Sequence, residues 1–130
     1  MASSREYYSL MLQYSRDKRN AQENKMSYES YLSKIKCLKN ELDEVVTNVN
    51  DANSNFLSGG YLHAENTSLD NGQLLQISNK LNNDLDVLNN VISKVEAKIQ
   101  EFDSSINRLT NLYNDANSNY IREKSREKSG

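Results

Sequence analysis

Residues 81–109 read LNNDLDVLNNVISKVEAKIQEFDSSINRL, and their apolar members are Leu81, Leu85, Leu88, Ile92, Val95, Ile99, Phe102, Ile106 and Leu109. Successive members are separated alternately by four and three positions. An α-helix makes a turn every 3.6 residues, so this spacing draws one stripe along one helix face, with the 3.5-residue period of a coiled coil. A half-buried strand would instead alternate at every second residue. The stripe continues to Leu74 on one side and to Tyr113, Ala116 and Tyr120 on the other, with Ser78 its one polar break.

A second series of the same period precedes it. Tyr7, Leu10, Tyr14, Ala21, Tyr28, Tyr31, Ile35, Leu38, Leu42, Val45, Val49, Ala52 and Phe56 fall on the alternating spacing, broken by Asp17 and Asn24. Between the two series lies LSGGYLHAENTSLDNG at 57–72, where Gly59-Gly60 can end a helix with positive φ angles and Asp70 or Asn71 can cap the next. These features predict an all-α fold, a long antiparallel two-helix hairpin of coiled-coil type. Its helices span about 4–57 and 72–123, with a connecting loop at 57–71. The ending IREKSREKSG repeats REKS and predicts a flexible charged tail at 124–130. All 130 residues then form one domain.

The heptapeptide NDANSNF at 50–56 returns as NDANSNY at 114–120. On the alternating spacing both copies take the same phase, with Ala52 and Ala116 in the stripe and an aromatic closing it. Two readings stand: a low-apolarity terminal turn in an Asn-rich chain, or a duplicated element that serves as a recognition tag.

The composition excludes several classes. There is no proline or tryptophan, only four glycines, and a formal net charge of -2 from 16 basic and 18 acidic residues that are interspersed along the chain. That is no electrostatic footprint for nucleic acid. No window has the apolar length of a membrane span, and the polar faces mix both signs of charge, unlike a membrane-surface helix. The first fourteen residues lack the apolar run of a signal peptide, which with the single Cys37 implies a cytoplasmic, reducing location. No residues assemble into a catalytic set, a metal cluster or a cofactor fingerprint. His63 beside Glu65 reads as a solvated loop residue, and Cys37 as a surface thiol despite Lys36 and Lys39 nearby.

A two-helix hairpin buries one narrow seam, and with 36% hydrophobic residues it has little else to offset chain ordering. Met11, Leu32 and Val46 flank the first stripe, and Ile77, Val91 and Leu112 flank the second. In an antiparallel pair these flanks are expected on opposite sides of the seam, as docking rows for partner helices. Seven of eight tyrosines, among them Tyr8 and Tyr14, are expected toward the end that carries both termini, as a second contact surface or a wet seam. The alternative is a self-associating structural coiled coil that uses the same flanks.

The segment NFLSGGYLHAENTSLDNGQLLQISNKLNNDLDVLNNVISKVEAKI, 55–99, leads from a glycine-containing turn through Asn-Gly into Leu- and Asn-rich heptads. In this it resembles the YwqH-like small helical proteins encoded beside LXG-domain toxins of type VII secretion systems. The resemblance implies a non-enzymatic adaptor or targeting partner, without a cofactor. It would bind the helical N-terminal region of an LXG toxin, alone or with a second small helical protein, support its stability, and stay in the cytoplasm or leave in complex with it. Two features depart from the related WXG-type secreted proteins. Ser58-Gly59-Gly60 stands where they have a Trp-x-Gly turn, and Lys124 occupies the acidic place of a Tyr-x-x-x-Asp/Glu signal begun at Tyr120.

Overall fold

The computed structural model describes residues 2–58 and 64–129, with side-chain surroundings for all of these except 53, 55–58, 64–71 and 74. Helix α1 spans Ser4–Ser58 and helix α2 spans Ala64–Ser129. They pack against each other as an all-α hairpin. Two units share these helices, one built from Met1–Ser30 with Glu96–Gly130 and the other from Tyr31–Val95. In the first, Ser4 meets Glu127 and Lys25 meets Asp103, and in the second Asn50 meets Ser78, so the pairing within each unit is antiparallel.

Helix α1 starts on a serine N-cap. Ser3 Oγ accepts the Glu6 N–H at 3.3 Å, and the Ser3 carbonyl accepts the Tyr7 N–H at 3.1 Å. Helix α2 differs from the expected 72–123 at both ends. It begins at Ala64, so Asp70 and Asn71 lie inside it rather than capping it, and the expected loop shortens. The Gly59-Gly60 turn and His63 fall outside the described residues. At the other end the expected tail is helical to Ser129. Its last turn carries Arg126 and Lys128, whose charge suits a helix C-terminus, and Arg126 pairs with Glu123 at 3.1 Å.

The covered positions fix the register. In α2 they include Ser78, Leu81, Leu85, Leu88, Ile92, Val95, Ile99, Phe102, Ile106, Leu109, Tyr113, Ala116 and Tyr120, the expected stripe. In α1 they are Ser4, Tyr7, Met11, Tyr14, Lys18, Ala21, Lys25, Tyr28, Leu32, Ile35, Lys39, Leu42, Val46 and Val49. With heptad positions lettered a to g, Ser4 and Ser78 are a, and Tyr7 and Leu81 are d. Half of the expected α1 stripe, the column from Tyr7 to Val49, is the d column. The other half is shifted by one residue. The a column runs through Met11, Lys18, Lys25, Leu32, Lys39 and Val46, while Leu10, Asp17, Asn24, Tyr31, Leu38, Val45 and Ala52 form the exposed g column.

The physical reason is side-chain reach. A seam lysine lays its methylenes along the apolar stripe and carries its ammonium out to water, which Asp17 and Asn24 are too short to do. Lys25 goes further and bonds Asp103 at 2.6 Å. The shift also separates the two heptapeptides, because Ala116 is only 5% exposed at a d position while Ala52 is exposed at g. Among the described side chains none is completely enclosed, as expected of a core one layer thick.

Adjacent residues test this register. Val46→Asp, which places a carboxylate in the seam, is expected to destabilise by about 2–4 kcal/mol, whereas Val45→Asp should change stability by less than about 0.5 kcal/mol. Urea unfolding followed by circular dichroism measures both, and the reverse order would restore the unshifted stripe. Gly72 lies inside α2, and a Cβ built on it meets nothing within 4 Å. Gly72→Ala should therefore raise stability by about 0.5–1 kcal/mol. A loss would show that the helix does not run through this residue.

Candidate functional site

On a helix wheel the a column borders e and the d column borders g, so an antiparallel pair has an a/e side and a d/g side. The a/e side is polar and bonded. In the unit of residues 31–95, Ser78 is buried at an a position, and its hydroxyl donates to Asn50 Oδ1 at 2.6 Å. A buried hydroxyl in the seam is thereby satisfied. In the unit that carries both termini, the Lys25–Asp103 ion pair lies on this side, in a shallow groove with Gln22, Met26, Glu29, Ile106 and Asn107. The Asp103 hydrogen bond holds Lys25 above its ordinary pKa, against a smaller desolvation penalty and with help from the charges of Asp103 and Glu29.

The same unit ties the two chain ends together. Ser4 is buried, its hydroxyl donates to Glu127 Oε2 at 2.7 Å, and its backbone N–H donates to Glu127 Oε1 at 3.2 Å. The carboxylate thus satisfies an amide that α1 cannot pair internally, at the positive end of the helix dipole. Both Ser4 bonds, the side-chain one first, hold Glu127 below its ordinary pKa, with desolvation opposing and Lys124 assisting.

The d/g side of the 31–95 unit is different. Leu38, Leu42 and Val45 of α1 and Leu88 of α2 line an open groove of about 360 Å³, with Glu41 at its rim. Leu38 is 55% exposed and Val45 45%. Tyr31 continues this row one heptad earlier at 55%, and Ile77 and Val91 occupy the matching g column of α2, Ile77 at 47% and Val91 half-buried. Apolar g positions from both helices therefore border one side of the seam here.

This arrangement redistributes the expected docking residues. Met11 and Val46, expected on an outer flank, are buried in the seam, with Leu32 half-buried in the same column. Tyr14 is half-buried at d, while Tyr8 is exposed at e with its ring 5.7 Å from that of Tyr120. Ile77, Val91 and Leu112 are all on g of α2, so the flanks of the two helices fall on the same side of the seam within the 31–95 unit, not on opposite sides. Spacing alone places Leu38, Val45 and Tyr31 in the seam, whereas all three are exposed. The signal that could have found them is the width of the α1 stripe, three apolar columns where one neighbouring helix covers two.

Six tyrosines, Tyr7, Tyr8, Tyr14, Tyr28, Tyr113 and Tyr120, belong to the unit of the termini, where Tyr28 packs at 5.3 Å on Phe102 and Lys98 lies 5.6 Å from the same ring. Tyr31 belongs to the other unit. Cys37 is an exposed thiol at an f position, away from the seam. Among the described residues no helix is long and apolar enough to cross a membrane, and no three or more His, Cys, Asp or Glu are grouped to hold a metal ion.

The Glu127 contact has a pH signature. A carboxylate held below its unfolded value adds stability above that value, and loses it as pH falls through the folded value. The contribution is thus intact at neutral pH and disappears below the ordinary glutamate value of 4.5. Glu127→Gln should lower the thermal midpoint at neutral pH, and the gap to the unmodified chain should close on acidification. A gap that stays constant into strong acid would mean that the charge of Glu127 contributes nothing. Comparison with known proteins adds no assignment, because no family model, no curated protein and no solved structure matches the chain.

Proposed function

We propose that the chain is a non-enzymatic helical adaptor whose working surface is the d/g groove of the 31–95 unit, and that it takes an amphipathic helix of another protein. The observation that carries this reading is the row Tyr31, Leu38 and Val45, exposed at heptad spacing above Leu42 and Leu88. A helix laid along it would meet apolar side chains at every second turn, which is how helix-in-groove recognition is built. The hairpin has a motive to accept one: its own core is a single layer, and a third helix would cover the column that α2 leaves exposed.

The resemblance of 55–99 to YwqH-like proteins names a partner class for the same surface, the helical N-terminal region of an LXG-domain toxin. Binding there would shield the toxin's apolar helix faces and hold it ready for a type VII secretion apparatus, from the cytoplasm or in transit with it. On this reading the docking residues shift from Met11, Leu32 and Val46 to Tyr31, Leu38 and Val45, while Ile77 and Val91 keep their role.

The test is co-expression with the helical N-terminal region of an LXG-domain protein encoded beside this chain. A stoichiometric complex on size exclusion is expected, together with a rise in the thermal midpoint of both components. Val45→Asp should abolish the complex while leaving the helicity of the hairpin intact, and Met26→Asp, an exposed apolar position in the other unit, should leave binding unchanged. Equal binding by the Val45→Asp chain would overturn the assignment of the groove.

A further inference from the structure

The groove-facing side of α1 reads nearly the same in both directions. Tyr31, Lys34, Leu38, Glu41 and Val45 follow one another at spacings of three and four along the adjoining c and g columns, with Leu38 at the centre, an apolar residue at each end, and one charge of each sign between. All five are exposed. Neither Lys34 nor Glu41 pairs with another described residue of the chain.

We infer that a second copy of this chain occupies the groove, its α1 lying antiparallel to the first about a two-fold axis at Leu38. The inference rests on the reading of the groove as a helix-docking surface and names its occupant when no client is bound. In that arrangement Leu38 meets Leu38 of the other copy, Tyr31 meets Val45, and Lys34 falls within one residue of Glu41, each heterotypic contact occurring twice. This is the self-complementarity that an isologous interface demands. A parallel alignment would stack Lys34 on Lys34 and Glu41 on Glu41, so charge selects the antiparallel one.

Helix α2 agrees with this placement. Counting from the Asn50–Ser78 pair along the two antiparallel helices puts Leu38 level with Asn90. The incoming α1 runs parallel to this α2, which brings its Leu38 beside Val91 and its Glu41 within about a residue of Lys94 at the rim. Its Lys34 comes near Asp84, an acidic g residue of α2 in this unit. The charges of the incoming helix are thus met on both walls. The apolar contact is short, three layers of α1 residues, far from the extent of an obligate dimer, so the dissociation constant belongs in the micromolar range.

Sedimentation equilibrium of the full chain over a concentration series is the first experiment. It should show a reversible monomer–dimer equilibrium. Glu41→Lys sets a third cation between Lys34 and Lys94 and should weaken the dimer at least about tenfold with helicity unchanged. In a Cys37→Ser background, Leu38→Cys should form a disulfide-linked dimer under mild oxidation, because only an axis through that residue brings two copies of it together. A chain that stays monomeric at every concentration overturns the inference, as does a dimer that neither Glu41→Lys weakens nor Leu38→Cys cross-links. Either result leaves the adaptor reading to its own test, in which loss of client binding by Val45→Asp is measured on the complex with the toxin region.

Discussion

A helix can hide only two neighbouring columns of another helix along a straight seam, and α1 has three that could serve. Its d column, from Tyr7 through Ile35 to Val49, is apolar throughout and is central to the other two. On one side of it is the g column with Leu10, Tyr31, Leu38 and Val45; on the other is the a column with Met11, Leu32, Val46 and three lysines. The structure closes on d and a. This choice decides which side chains form the core, which charges lie at the seam, and which apolar residues are left for something else to cover. Packing the lysine-bearing column inward is inexpensive because it is chiefly methylenes that are desolvated, and at Lys25 the bond to Asp103 outweighs the desolvation of the ammonium.

The two sides of the seam consequently do different work. On the a/e side, Asn50–Ser78, Lys25–Asp103 and Ser4–Glu127 are directional and distance-sensitive. A slip of either helix by one heptad would break them together, leaving the Ser78 hydroxyl buried without a partner, so they specify register more than they add stability. Among the described residues the d/g side of the 31–95 unit shows no such bonds and offers adaptable apolar area. Within the 31–95 unit the directional Asn50–Ser78 bond and the uncovered apolar row thus fall on different edges of the helix pair, which is the physical basis for the proposed adaptor role.

Much of this was legible from spacing. The α2 stripe is apolar in both of its columns except at Ser78, so its register has no competitor, and a hairpin of two long helices follows from it. In α1 the d column was equally plain. The choice between a and g was not, because counting apolar residues favours g, and the deciding terms are the reach of a lysine and the position of Asp103 on the other helix. Neither is a property of a single segment. The same limit explains the heptapeptide repeat: NDANSN is identical at 50–55 and 114–119, but the neighbouring helix places Ala116 inside and Ala52 outside. That the last turn is helical and bonded to Ser4 is not legible locally, because Ser4 lies at the far end of the sequence.

If one groove serves both the proposed self-association and a client, affinity is constrained. A client helix binds only chains whose groove is open, so its apparent dissociation constant is raised by the inverse of the open fraction. A tight dimer would make that penalty prohibitive, and a tight one is not what three layers around Leu38 provide. A weak dimer costs a client little while keeping Leu38 and Val45 from non-specific apolar contacts when the client is absent. In the proposed dimer the opposed charges of Lys34 and Glu41 would serve the same end, since they would orient the second copy without adding much apolar area. A client that carries a basic residue opposite Glu41 and an acidic one opposite Lys34 would reproduce those contacts and add the rest of its own helix, and mass action would then open the dimer in its favour.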